Sequence, residues 1–138
     1  MIETPILKPL EFLGDSLKRI RGFRKDVRYI IGQALWAAQL GKTHPDAKPL
    51  KGFKGSGVVE IVADSQGDTY RGVYTVKLAG VVYVLHAFQK KSKSGVKTLK
   101  REIEMIEARL KTAEAHYRKN TLRVRNHDHE NKSDTIER

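Results

Sequence analysis

The sequence lacks cysteine and contains no long apolar run. Without cysteine, disulfides and thiolate metal sites are excluded, and the composition is compatible with a reducing cytosol. No apolar stretch approaches the roughly 18 residues that a membrane-spanning helix needs. The N-terminus also lacks the basic-then-apolar pattern of a signal peptide. We therefore expect a soluble, cytoplasmic protein with no membrane partner.

Acidic residues are absent between Asp68 and Glu102, in a chain whose formal net charge is +11. An uncompensated cationic segment suits a polyanion, and nucleic acid is the first candidate. A solvated basic surface is the ordinary alternative. The eight cations of this interval are Arg71, Lys77, Lys90, Lys91, Lys93, Lys97, Lys100 and Arg101.

Periodicity and turn residues predict one strand, two helices, three strands and a last helix. This order predicts an α+β fold, in which a small antiparallel sheet carries an N-terminal two-helix hairpin on one face and a C-terminal helix. The predicted elements are an edge strand within residues 5–12, a short helix ending near Phe23, a helix over Lys25–Leu40, strands over Val58–Ser65, Thr69–Leu78 and Val81–Lys90, and a helix over Thr98–Arg118.

The apolar periodicity stops after residue 118. We therefore assign residues 1–118 to a single domain and residues 119–138 to a polar, disordered tail. His127 and His129 lie in that tail without a third ligand, so the sequence predicts neither a metal site nor a cofactor.

The turn Ala79-Gly80 sets the register of the last two strands. A two-residue loop places Arg71 opposite Phe88 and Val73 opposite His86. Arg71, His86, Phe88 and Lys90 then share one face of the sheet. Glu60 joins them if the preceding turn spans two or four residues.

This predicted face has the parts needed to cleave RNA without a metal. Arg71 suits the phosphate because its planar donors engage two oxygens at once, and His86 or Glu60 could transfer protons. Phe88 could stack on an unpaired base. The predicted RNA-binding residues are Phe88, Lys90, Lys91, Lys93, Lys51 and Lys54.

Each of these residues also has an ordinary interpretation. His86 in mid-strand is compatible with a structural histidine, and Phe88 with a core residue under the last helix. Arg71 is compatible with a cross-strand salt bridge to Glu60 or Asp64. The lysines are compatible with plain solvation.

Several local motifs in order resemble the RelE/ParE toxin superfamily, and its phage-derived HigB-like branch most closely. The resemblance covers about residues 5–118. Its motifs are Leu13-Gly14-Asp15-Ser16-Leu17, Asp26-Val27-Arg28 with Ile31-Gly32, Lys48-Pro49-Leu50-Lys51-Gly52, Val59-Glu60-Ile61, Tyr70-Arg71-Gly72-Val73-Tyr74, and the run from Val82 to Ser92.

The resemblance implies the toxin of a type II toxin–antitoxin pair, which cleaves mRNA on the ribosome. It also implies a cognate antitoxin, a helix-turn-helix protein encoded beside it. Arg71 matches the arginine that such nucleases place on the scissile phosphate, and Lys90 and Lys91 match the basic end of their last strand.

The chain also departs from the pattern of these nucleases. Glu60 and Val62 stand where some relatives carry lysines, and residues 92–98 lack the tyrosine that some place after the last strand. The general base and acid are therefore unassigned. Two alternatives stay open: a non-enzymatic inhibitor of DNA gyrase, and a non-toxic phage-derived nucleic-acid-binding protein.

Overall fold

The computed structural model describes residues 6–90 and 96–137, with side chains for residues 6–90 and 99–122. The elements follow one another in the predicted order, and one further short strand is present. They are β1 (Leu10–Phe12), α1 (Ser16–Arg21), α2 (Lys25–Gln39), β2 (Lys48–Pro49), β3 (Val58–Ser65), β4 (Asp68–Thr75), β5 (Val82–Lys90) and α3 (Val96–Glu137).

The strands form one five-stranded sheet in the order β1-β5-β4-β3-β2. The predicted α+β fold is confirmed, with one correction: the sheet is mixed, because β1 runs parallel to β5 while the other pairs are antiparallel. β1 lies at the edge, as predicted. Pro9 directly precedes it and cannot donate a ladder hydrogen bond. Pro9 instead accepts one, from Val82 N to Pro9 O at 3.0 Å.

Helices cover both faces of the sheet. The apolar stripe of α2, which includes Val27, Ile31 and Ala34, is buried against one face. The seam of α3, with Ile106 and Ala113 fully buried, packs on the other. β5 lies between the two layers and is buried from residue 82 to residue 88, which explains its apolar character on both faces.

α3 is longer than the sequence predicted. The predicted helix ends at Arg118, whereas α3 continues to Glu137, into the segment for which disorder was expected. Lysine, arginine and glutamate favour the helix without any apolar seam. Apolar periodicity therefore did not mark the end of α3. The domain boundary at residue 118 stays a prediction.

Among the described residues, no helix is both long and apolar enough to cross a membrane.

Substitution of alanine for glycine should have opposite effects on stability at two positions. Gly32, in the interior of α2, has open space around the position of an added Cβ, so Gly32→Ala should raise the free energy of unfolding by up to about 1 kcal/mol. At Gly72 an added Cβ would lie 3.3 Å from Ile61 Cγ2 and 3.4 Å from Ile31 Cγ2. Gly72→Ala should therefore lower the free energy of unfolding by about 1–3 kcal/mol, because Ile61 and Ile31 would have to move. Urea denaturation of both variants measures the two changes, and equal effects would contradict the packing described.

Candidate functional site

The pairing of β4 with β5 brings the predicted residues to one face. Arg71 lies opposite Phe88 and Val73 opposite His86, as the turn predicted. Tyr74, however, lies opposite Val84, which leaves Leu85 as the extra residue of a β-bulge. Leu85 and His86 both face α3 as a result, and Ala87 returns to the α2 side.

The turn between β3 and β4 brings Glu60 to the same face. Ser65 lies opposite Asp68, so the loop is the two residues Gln66 and Gly67, both with positive φ. Such a loop fixes the register of a hairpin. Glu60 consequently lies opposite Val73, and the turn-length condition for its position on this face is met.

Glu60 and Arg71 form an ion pair on this face, with 3.1 Å between Glu60 Oε2 and Arg71 Nη1. The side chains are 16% and 23% exposed, respectively, so solvent or a ligand reaches both. Arg71 Nε is buried and has no hydrogen-bond partner within the described part of the chain. The guanidinium therefore keeps donors beyond those that Glu60 uses.

Exposed lysines lie on both sides of this pair. Lys48, on the edge strand β2, is opposite Glu60, and Lys90, at the end of β5, is opposite Thr69. In the loop after β2, buried Leu50 and Phe53 alternate with exposed lysines at positions 51 and 54. The predicted Lys91 and Lys93 lie outside the described residues. Lys48 was missed as a site residue because a two-residue strand has no periodic signal.

Phe88 is largely a core residue. It is 6% exposed and stacks on His86, with ring centroids 5.4 Å apart. Its remaining surface lines a shallow depression of about 550 Å³, with Lys18 and Arg19 also on its wall. This depression gives a base one route to Phe88, and the core interpretation accounts for most of the environment of the ring.

His86 is fully buried, and both ring nitrogens have partners. Nε2 contacts the Glu102 carboxylate, and Nδ1 lies 2.8 Å from Arg109 Nη1. A guanidinium can only donate, so Nδ1 accepts and Nε2 carries the proton that it donates to Glu102. Burial lowers the pKa of His86, the hydrogen bond to Glu102 opposes that shift, and the charge of Arg109 adds to it. This geometry fits the structural interpretation of His86.

Arg109 connects this histidine to the N-terminal motif. Its Nη1 also donates to Leu85 O at 2.9 Å, and its Nη2 donates to Asp15 Oδ1 at 2.7 Å. The guanidinium packs so closely on Gly14 that a Cβ there would lie 2.5 Å from Nη2. The hydrogen bonds from Arg19 and Arg109 hold the pKa of Asp15 far below its usual range.

Sequence reasoning missed this network, although α3 carries one signal of it. Glu102 and Arg109 are seven residues apart, and each directly precedes a residue of the α3 seam. They therefore lie on the flank of the buried stripe, where a charged side chain needs a partner. Among the described residues, no group of three His, Asp or Glu side chains could hold a metal ion.

Comparison with known proteins gives a family and a structural neighbour. Residues 18–111 match the family described as "Phage derived protein Gp49-like (DUF891)". No curated protein matches the chain. Among solved structures, a mutant of the E. coli toxin RelE in the free state is 22% identical, with a TM-score of 0.48, over 71% of this chain and 96% of that one. The family match confirms the phage-derived family that the motifs indicated.

The lowered pKa of His86 predicts how stability depends on pH. Below the ordinary histidine pKa of about 6.5, the unfolded chain binds a proton that the folded chain resists. Stability should therefore rise with pH up to about 6.5 and level off above it. His86→Gln, which cannot titrate, should flatten that rise in urea denaturation between about pH 5 and 8. His44→Gln, in an exposed loop, is the control, and an unchanged slope in His86→Gln would contradict the assignment.

Proposed function

The chain belongs to the Gp49-like family of phage-derived proteins, and on this basis we propose that it is the toxin of a type II toxin–antitoxin pair. Its activity in this proposal is that of a metal-independent, ribosome-associated mRNA endonuclease in the cytoplasm. The observation that carries the proposal is the accessible Glu60–Arg71 pair with an exposed lysine on either side. Its partners would be mRNA, the ribosome and an adjacently encoded helix-turn-helix antitoxin.

The ion pair supplies the two functions that RNA cleavage needs. A phosphate that binds Arg71 competes with the Glu60 carboxylate for the guanidinium donors. Glu60 is then free to take the proton of the 2′-hydroxyl, whose oxygen attacks the adjacent phosphorus. Arg71 stabilises the charge that develops on the non-bridging oxygens. The 5′-oxygen leaves and takes a proton from solvent at this open part of the sheet.

His86 has no proton-transfer role in this proposal. Its ring nitrogens are occupied by Glu102 and Arg109, and the side chain is fully buried. We propose that it positions β5 under α3, and thereby Phe88 opposite Arg71. Lys48, Lys90 and the lysines at positions 51, 54, 91 and 93 would hold the RNA backbone through phosphate contacts.

Induction of the wild-type chain in bacteria tests the activity. We expect growth to stop and transcripts to be cut within reading frames, as primer extension on a reporter mRNA would show. Double-strand DNA breaks with intact mRNA would contradict this function and indicate gyrase inhibition instead. Salt-sensitive RNA binding without a cleavage product would replace it by a binding function.

Substitutions at the ion pair test the assignment of the site. Arg71→Ala should lower the cleavage rate by about 10²–10³, the usual effect of losing one preorganised transition-state donor. Arg71→Lys should recover little of the rate, because a point charge does not reproduce the planar fork. Single-turnover cleavage of a defined RNA measures both rates, with Lys42→Ala, an exposed cation beyond the end of α2, as the matched control.

Glu60→Gln separates proton transfer from RNA binding. The amide keeps the size of the side chain and removes the base, so we expect a rate loss of about 10²–10⁴ with RNA affinity unchanged or higher. Lys93→Ala should instead weaken binding and reduce its salt dependence by about one counterion. If Arg71→Ala and Glu60→Gln fold normally and cleave at the wild-type rate, while Lys93→Ala abolishes cleavage, the site lies in the loop after β5.

A further inference from the structure

The outer face of α2 carries two large aromatic side chains that the fold leaves uncovered. Tyr29 is 67% exposed and Trp36 is 48% exposed. They are seven residues apart, so two helical turns place them on the same side of α2. The buried stripe of α2 lies against the sheet, and the two rings therefore lie on the solvent side. Tyrosine and tryptophan are the residues most enriched among the energetic centres of protein interfaces.

Gly32 lies between the two rings. Glycine in a helix interior lowers stability, and this one has neither a positive φ nor a neighbour that a Cβ would meet within 4 Å. The fold itself therefore gives no reason for it. Its effect is a notch between Tyr29 and Trp36, which lets the backbone of another helix approach α2 closely.

Cations predominate around this face. Lys25 and Arg28 are exposed beside the rings, and the sequence contains no acidic residue between Asp26 and Asp46. The carboxylate of Asp26 is engaged by the hydroxyl of Ser65, 2.6 Å away. The face therefore complements an acidic surface, and a second copy of the chain would bring like charges together.

We propose that the outer face of α2, formed by Lys25, Arg28, Tyr29, Gly32 and Trp36, binds an acidic amphipathic helix of the partner protein. The identity of that partner as the antitoxin rests on the proposed function. The two rings, at positions i and i+7 of α2, offer apolar contacts to the apolar side of a docked helix. The notch at Gly32 admits its backbone, and the cations meet its acidic side.

The position of this face favours a protein over RNA as its occupant. α2 packs on one side of the sheet, whereas Arg71 and Glu60 lie on the side that α3 covers in part. An RNA strand engaged at Arg71 would have to pass around the sheet to reach Trp36. A helix docked on α2 holds the partner on the chain without contacting the Glu60–Arg71 pair.

Trp36 is the single tryptophan of the chain and can report on this face directly. The full chain, labelled with 5-fluorotryptophan, gives one ¹⁹F signal, and the probe is the purified product of the open reading frame beside the gene. We expect the probe to shift that signal. Gly32→Arg should weaken binding at least tenfold although it adds a charge that an acidic partner attracts. Ala115→Arg, which adds the same side chain to the exposed side of α3, should bind as the wild type does.

The remaining outcomes overturn the proposal. Two of them concern the adjacent protein: it forms no complex, or it forms one in which the ¹⁹F signal does not move. In the other two, the signal shifts only with a single-stranded RNA oligonucleotide, or only when the concentration of the chain is raised. Circular dichroism establishes that Gly32→Arg is folded, and Lys25→Glu/Arg28→Glu, which should also lose binding, gives a second variant.

Growth assays separate this proposal from the proposed function. If the wild-type chain does not arrest growth, the toxin function fails, while the ¹⁹F titration still decides the surface. If the chain is toxic and the adjacent protein neutralises it, Gly32→Arg should remain toxic and escape neutralisation. Full neutralisation of that variant would overturn the α2 surface and leave the toxin function intact.

Discussion

The guanidinium of Arg109 is the contact on which the arrangement of the chain depends. It can only donate hydrogen bonds, and it finds acceptors on three parts of the fold: the carboxylate of Asp15, the carbonyl of Leu85 and Nδ1 of His86. It thereby ties α3 to β5 and to the segment that leads into α1. Loss of this donor would leave the buried acceptors Leu85 O and His86 Nδ1 unpaired, and an unpaired buried acceptor typically costs about 1–3 kcal/mol.

The β-bulge at Leu85 makes this contact possible. In a regular strand His86 would face α2, within the apolar cluster around Ile31 and Tyr74, where an imidazole would lack partners. The extra residue turns His86 toward Glu102 and Arg109 instead. It also keeps Phe88 on the α3 side, opposite Arg71. A local irregularity of β5 thus decides both the buried polar network and the position of the candidate site.

The two tight turns made much of this site predictable from the sequence. The Ala79-Gly80 loop predicted the partner of Arg71 correctly, although the structure reaches that register only through the bulge at Leu85, because Tyr74 pairs with Val84. The Gln66-Gly67 loop satisfies the turn-length condition for Glu60, because register follows from turn length. The order of the elements along the chain and the buried stripes follow from periodicity. Turn length and periodicity together therefore predicted that Arg71 and Glu60 share a face, but neither the bulge in β5 nor the place of Lys48.

The parts that escaped prediction depend on packing between distant segments. The partners of His86 lie 16 and 23 residues further along the chain, on Glu102 and Arg109, and periodicity does not identify such contacts. A bulge leaves no compositional mark in a strand that is apolar on both sides. β1 was predicted at an edge, but its parallel pairing with β5 depends on where the two helices return the chain.

The Glu60–Arg71 pair and the exposed aromatic face of α2 lie on opposite sides of the sheet. On the α3 side, the seam of α3 is narrow and packs on β5, so the part of β3 and β4 that carries Glu60 and Arg71 stays accessible. On the other side α2 covers the sheet and presents Tyr29 and Trp36 outward. Surfaces on opposite sides of a rigid sheet can be occupied at the same time. A partner that docks only on α2 therefore cannot block the ion pair by contact. Under the proposed function, inhibition of cleavage would come from other segments of that partner or from exclusion of the ribosome.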